Sequence, residues 1–174
     1  MLLLLSPLFL LIGLLILVND GRPVLYTQKR SGINNKLFRF YKFRSMKKDT
    51  PEIATHLMDN PDQYLLPRGK FIRKSSIDEL PNLLNVLKGD MVFVGPRPAL
   101  HNQYDLIKMR TLEGVHRIKP GITGWAQING RDDIELKSKV ALDKYYLINR
   151  SPTTDFVILL QTIVKVFKMK DVSF

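Results

Sequence analysis

Residues 75–98 read SSIDELPNLLNVLKGDMVFVGPRP, and the change of rhythm inside them decides the fold class. Leu80, Leu83, Leu84 and Leu87 recur at i, i+3, i+4 and i+7, the spacing that stacks apolar side chains on one face of a helix. Ser76 followed three residues later by Glu79 has the spacing of a capping box, Pro81 is tolerable in a first turn, and Gly89 supplies a stop. Beyond the stop, VFV is a short apolar strand that runs into the proline-locked turn Gly95-Pro96-Arg97-Pro98. A helix giving way so quickly to a strand predicts a mixed α+β fold, rich in helix, with short β-strands.

The same stretch carries candidate chemistry. Asp78 and Glu79 sit side by side where the helix should start. One reading is structural: carboxylates in a first turn complement the helix dipole, and Glu79 closes the box on Ser76. The other is functional. Adjacent helical residues point about 100° apart, so the pair would divide its labour, one attacking phosphorus and the other holding a divalent cation. Arg97, pinned between two prolines, sits on a stiff stem that suits a phosphate clamp, or else it faces solvent on a rigid turn.

Working outward, VLYTQKRSG (24–32) and KLFRFYKFRSM (36–46) read as strands. In the second, Phe38, Phe40, Lys42 and Arg44 share one face, either a solvated basic edge or a lined site. Residues 47–68 read as a loop, with or without a short helix, and offer no catalytic signal. KPGITGWAQINGR (119–131) reads as a glycine-punctuated loop. A helix is expected from Glu135 to about Tyr146. A last one opens at Pro152, with Phe156, Leu159, Leu160, Ile163, Val164 and Phe167 on an apolar face suited to a core or to a bilayer interface.

At the other end, LLLLSPLFLLIGLLILV (2–18) is apolar throughout except for Ser6. At about 1.5 Å per residue it reaches roughly 25 Å, short of the roughly 30 Å hydrocarbon core of a bilayer. Pro7 removes the amide that would bond the Leu3 carbonyl, which predicts a kink, and Arg22, Lys29 and Arg30 place the following chain on the cytoplasmic side. The segment lacks the basic n-region and the cleavage site of a signal peptide.

The 174 residues include 27 Lys and Arg against 16 Asp and Glu, a formal charge of +11 that calls for an anionic partner. The absence of cysteine excludes disulfides, thiolate nucleophiles and thiolate zinc sites. His56, His101 and His116 lack ligand spacing. The phosphate-binding glycine loops and the nucleophile elbow of hydrolases do not occur.

Five blocks in order, SPLFLLIGLLI, FRFYKFRSM, SIDELPNLLNVLKGDMVFVGPRPAL, KPGITGWAQINGR and LDKYYLINRS, resemble the bacterial sugar transferases, the monotopic phosphoglycosyl transferases that act on polyprenyl phosphate. The resemblance implies transfer of a sugar-1-phosphate from a nucleotide diphosphate sugar, usually a UDP-sugar, to undecaprenyl phosphate. UMP is released, and the product starts a lipid-linked glycan. It implies Asp78 as the nucleophile of a covalent phosphosugar intermediate and Glu79 as the Mg²⁺ ligand. Lys42, Arg97 and, more weakly, Arg131 would hold phosphate, with Asp143 an acidic residue near the site. It further implies that residues 1–20 form a re-entrant membrane helix broken at Ser6 and Pro7. Residues 21–174 would then be one catalytic domain on the cytoplasmic face of the bacterial inner membrane, with lipid and not nucleic acid as partner. Relatives carry a charged lead-in roughly ten or more residues before the Ser-Pro pair; here five residues precede Ser6, so a short inward limb is expected. The competing expectations are a non-catalytic basic module at the membrane surface and an inactive, truncated member of the family.

Overall fold

The computed structural model describes residues 2–53, 58–130 and 134–168, with side chains from 6 to 166. It is the helix-rich α/β arrangement that the sequence predicts, built from seven α-helices and two small two-stranded sheets among the described residues.

Helix α1 (Leu2–Asp20) contains Pro7 without interruption, so the expected break at Ser6-Pro7 is not seen as an end of the helix. Pro7 costs the helix a single intrahelical bond, the one to the Leu3 carbonyl, and the turns on either side carry the helix through it. Among the described residues no helix is long and apolar enough to cross a membrane. Ile12 and Ile16 are buried against Phe43, Val24, Ile77 and Leu80, and Phe9 meets the edge of Phe43 at 5.4 Å. Leu10, Leu11, Leu14 and Val18 remain more than half exposed.

Strands β1 (Leu25–Ser31) and β2 (Leu37–Phe43) form an antiparallel hairpin in which Tyr26 faces Lys42, Gln28 faces Phe40 and Arg30 faces Phe38. The chain reverses through Asn34 and Asn35, both left-handed, a conformation that asparagine tolerates better than most residues. Directly opposed residues point to the same side, so Tyr26, Gln28, Arg30, Phe40 and Lys42 make one face of the hairpin. The solvated-edge reading of these residues fails. Phe40 and Phe43 are buried, and so is Arg44, which lies just past β2 and pairs with Asp20 at 2.6 Å while donating to the Gly21 carbonyl at 2.7 Å.

Helix α2 (Gly69–Lys74) leads into the region 75–98, where the capping box does not form. Ser76 is left-handed with no side-chain cap, and residues Ile77–Asn82 make a 3-10 turn before α3 (Leu83–Leu87) begins. Pro81 explains this, since without its amide no α-helical bond back to Ile77 can be made and the tighter turn takes its place. Gly89 ends α3 at φ +78°, as expected.

Strand β3 (Val92–Val94) then pairs in parallel with β4 (Gly121–Thr123). Between them runs α4 (Tyr104–Leu112), a helix the sequence reading did not anticipate. The glycine-punctuated loop proves to be β4 followed by α5 (Trp125–Asn129). A Cβ on Gly121 would fall on the Gly95 backbone nitrogen, so these glycines let the two strands' ends close on each other and fix the turn that carries Arg97. Helix α6 (Leu136–Asn149) runs a little past the expected end, and α7 (Pro152–Lys168) closes the core. Val94, Ile128, Tyr146 and Ile158 form that core, and Thr162 bonds Thr123 at 2.7 Å. The expected apolar face of α7 stays open, with Phe156, Leu160 and Ile163 about half exposed.

Candidate active site

Three elements converge at one end of the hairpin. Strand β2 supplies Lys42, the 3-10 turn supplies Asp78 and Glu79, and the turn after β3 supplies Arg97. With three residues per turn the side chains of Asp78 and Glu79 diverge by about 120°, and Lys42 bridges them, 3.5 Å from Asp78 Oδ2 and 2.7 Å from Glu79 Oε1. Arg97 grips Glu79 through a fork, Nη2 to Oε1 at 2.6 Å and Nη1 to Oε2 at 3.1 Å. Glu79 therefore serves two cations rather than a helix cap.

The two carboxyls are tuned apart. Asp78 is 3% exposed, and its burial pushes the carboxyl above the usual range against the pull of Lys42. Burial acts on Glu79 in the same sense, but the charges and hydrogen bonds of Arg97 and Lys42 outweigh it and hold that carboxyl well below its ordinary value. The two shifts run in opposite directions, which leaves Asp78 the more basic carboxyl of the pair and Glu79 the more acidic.

Asp143 lies behind this cluster. It is 1% exposed and takes two bonds from Arg110, at 2.9 and 2.6 Å, while Arg110 Nη1 donates to the Arg97 carbonyl at 2.7 Å. Burial raises the Asp143 carboxyl despite the guanidinium beside it. Its part is thus to hold Arg110 and, through it, the Arg97 turn. Ser6 and Pro7 sit on α1 and are not brought into the cleft, and Arg131 lies outside the described residues.

The cluster floors a cleft of about 510 Å³ in which nine of the lining residues are Lys or Arg and Asp78 is the one acid among the described residues. Sequence reasoning missed Tyr26, Gln28 and Arg30 on the hairpin wall and Lys47 and Lys48 in the loop dismissed as non-catalytic. The alternation Tyr26, Gln28, Arg30 was the available signal, since period two puts all three on the face of Lys42.

For a divalent cation the donors are few: no group of three or more acidic or histidine side chains gathers among the described residues. Mg²⁺ needs no such group, since it is commonly held by one or two carboxylates plus substrate phosphates and water, and Glu79 is the carboxylate that could contribute to such a set.

The model of the bacterial sugar transferase family matches residues 1–169. The chain belongs to the bacterial sugar transferase family. As a member it is an enzyme, a phosphoglycosyl transferase, and the expectation of a non-catalytic module falls. This sugar transferase is 48% identical over 147 residues to the uncharacterized sugar transferase EpsL of Bacillus subtilis (strain 168), covering 84% of this chain and 71% of that one. It is 40% identical over 177 residues to the exopolysaccharide production protein ExoY of Rhizobium meliloti, covering 93% and 78%. It is also 40% identical over 181 residues to the UDP-glucose:undecaprenyl-phosphate glucose-1-phosphate transferase of Escherichia coli (strain K12), covering 97% of this chain but 38% of that protein.

Proposed function

We propose that this sugar transferase moves a sugar-1-phosphate from a UDP-sugar to undecaprenyl or a similar polyprenyl phosphate, releasing UMP, in two steps through Asp78. The observation that carries the reading is the buried, basic Asp78 set 3.5 Å from Lys42 beside a Glu79 already clamped by two cations. The relative from Escherichia coli, named for UDP-glucose and undecaprenyl phosphate, supports the choice of substrates.

In the first step an Asp78 oxygen attacks the phosphorus that bears the sugar. The bond from that phosphorus to the nucleotide's phosphate breaks, and its electron pair leaves on UMP. In the second, an oxygen of the lipid phosphate attacks the same phosphorus and Asp78 departs as a carboxylate. Lys42 and Arg97 follow the negative charge, passing from Glu79 to phosphate oxygens, which replaces solvation of a crowded anion by fixed cations. Glu79 would be the residue to hold Mg²⁺, which, when bound, would supply screening of the diphosphate charge.

The acceptor's tail requires lipid nearby. The exposed leucines of α1 and the open face of α7 are the surfaces we assign to the cytoplasmic leaflet of the inner membrane, where α1 dips in and the cleft stays in water.

The test is UMP release from a panel of UDP-sugars with Mg²⁺ and a polyprenyl phosphate, alongside trapping of the intermediate with donor labelled in the sugar. Wild type is expected to release UMP and retain label, and the Asp78→Asn variant to do neither. Equal release by that variant removes Asp78 as nucleophile, and no release from any UDP-sugar by the wild type overturns the proposal.

A further inference from the structure

Arg30 stands in the cleft without a salt bridge to any carboxylate among the described residues, although Glu79 and Glu52 favour its charge from farther off. Its Nε donates to Gln28 Oε1 at 3.0 Å and its Nη1 to the Pro98 carbonyl at 2.8 Å, both neutral acceptors. The group lies against the Phe40 ring, 5.1 Å from its centroid, and Lys42 Nζ approaches the same ring at 5.7 Å. Arg30 is therefore a near neighbour of the catalytic cation, on the same face of the hairpin. Burial, then the charge of Arg97, lowers its guanidinium to about 10 against the pull of Glu79 and Glu52. Two neutral bonds fix the fork and leave Nη2 with no partner among the described residues. A planar guanidinium oriented this way is prepared for an anion.

We infer that Arg30, oriented by Gln28 and the Pro98 carbonyl, is a second phosphate subsite that serves both half-reactions in turn. The inference rests on the two-step reading above and adds a constraint to it. Phosphoryl transfer places the attacking and leaving oxygens in line across phosphorus. In the first step Asp78 attacks, so the phosphate departing with the nucleotide lies on the far side. In the second step Asp78 departs, so the phosphate of the incoming acceptor must occupy that same far side. One subsite must thus accept a phosphate monoester of either kind, and Arg30 is a cleft cation beside Lys42 and Arg97 that makes no ion pair with a carboxylate among the described residues. It recognises phosphate and leaves the nucleoside and the lipid to other surfaces.

The test needs no turnover. Binding of labelled UMP to the full chain in detergent is measured by equilibrium dialysis, with farnesyl phosphate as competitor, for wild type and for Arg30→Gln, Arg30→Lys and Asp78→Asn. Wild type is expected to show competition. Arg30→Gln should weaken both ligands by about tenfold or more, and Arg30→Lys by less, since it restores the charge without the fork. Asp78→Asn, which relieves Lys42 of one carboxylate, should bind UMP at least as tightly as wild type, its loss being in chemistry rather than in affinity. Thermal melting confirms that each variant is folded. The inference is overturned by simultaneous binding of both ligands, by a folded Arg30→Gln that binds them as wild type does, or by no UMP binding to the wild type. Exchange of label between UMP and UDP-sugar without acceptor tests the two-step reading separately, so the failure of either is told apart from the other.

Discussion

In the cleft, Glu79 takes two cations and Asp78 shares one of them, all within 3.5 Å, whereas on α7 Phe156, Leu160 and Ile163 stand about half exposed. The first region is a polar network completed within the chain. The second is an apolar surface of the kind that ordinarily has a partner. The difference teaches where substitutions should hurt: in the cleft through charges left without mates, along the outer helices through nothing the isolated chain can register. The sharpest way to break that contrast is Asp78→Asn. Asparagine keeps the shape and removes the nucleophile, so turnover should fall by about 10⁴-fold or more while the melting temperature stays close to wild type. UMP release and differential scanning calorimetry read the two arms, and a large fall in stability would move Asp78 from chemistry to architecture.

Asp143→Asn should do the opposite. It leaves the Arg110 guanidinium buried without a counter-charge, a change that typically costs about 3–5 kcal/mol of stability. For a chain of this size that is a drop of roughly 6–20 °C in melting temperature. Ile158, fully buried in the core of the same molecule, gives the apolar counterpart: Ile158→Ala should cost about 2–5 kcal/mol by denaturant titration. If the charged pair proves cheaper to break than the isoleucine, the Arg110 link to the Arg97 turn is not a structural strut.

A subtler effect lies in pH. Asp78 has its carboxyl raised in the folded state, so ionising it opposes folding, and its contribution to stability is lost as pH rises from the unfolded to the folded value. Glu79 is depressed, so its contribution is present above the unfolded value and lost as pH falls through the folded one. Activity requires Asp78 ionised, so the acid limb of kcat/KM should lie above the ordinary aspartate value of about 3.9 and drop about tenfold per pH unit below it. Lys42→Gln removes a charge that favours the ionised form, and the limb should move upward. A limb that stays in place would detach it from Asp78.

How much of this was legible beforehand depended on the range of the interaction. Leucine spacing and apolar alternation are local, and they found the α3 region, the hairpin, β3 and the start of α7. Local rules also misled where a distant partner won. Ser76 and Glu79 have the right separation for a cap, yet Glu79 is taken by Lys42 and Arg97, which are 37 and 18 residues away. Pro81 was read as harmless, and it moved the helix start. Asp78, Glu79, Lys42 and Arg97 were named together and are together, but only through the resemblance of ordered blocks, because no spacing rule links a strand, a turn and a second turn. Arg30 escaped since its meaning depends on having neutral hydrogen-bond partners and no ion pair, which a linear sequence does not display. Arg110 escaped because its helix, α4, has no clear apolar periodicity.

The smallest effect is expected where exposure is greatest. Leu160 lies on α7 only two residues from Ile158, yet it is 47% exposed against 0%. Leu160→Ala should therefore change stability by under about 0.5 kcal/mol, at least about fourfold below Ile158→Ala on the same helix. Leu160→Glu separates packing from partnership. In detergent it should leave UMP release within about twofold of wild type, because the cleft is built from other elements. With vesicles containing anionic lipid it should weaken sedimentation several-fold, since a carboxylate on the open face meets both an apolar interior and a negative surface. Equal sedimentation of the variant and the wild type would show that the open face of α7 is not where lipid is met, and would leave α1 as the remaining surface for it.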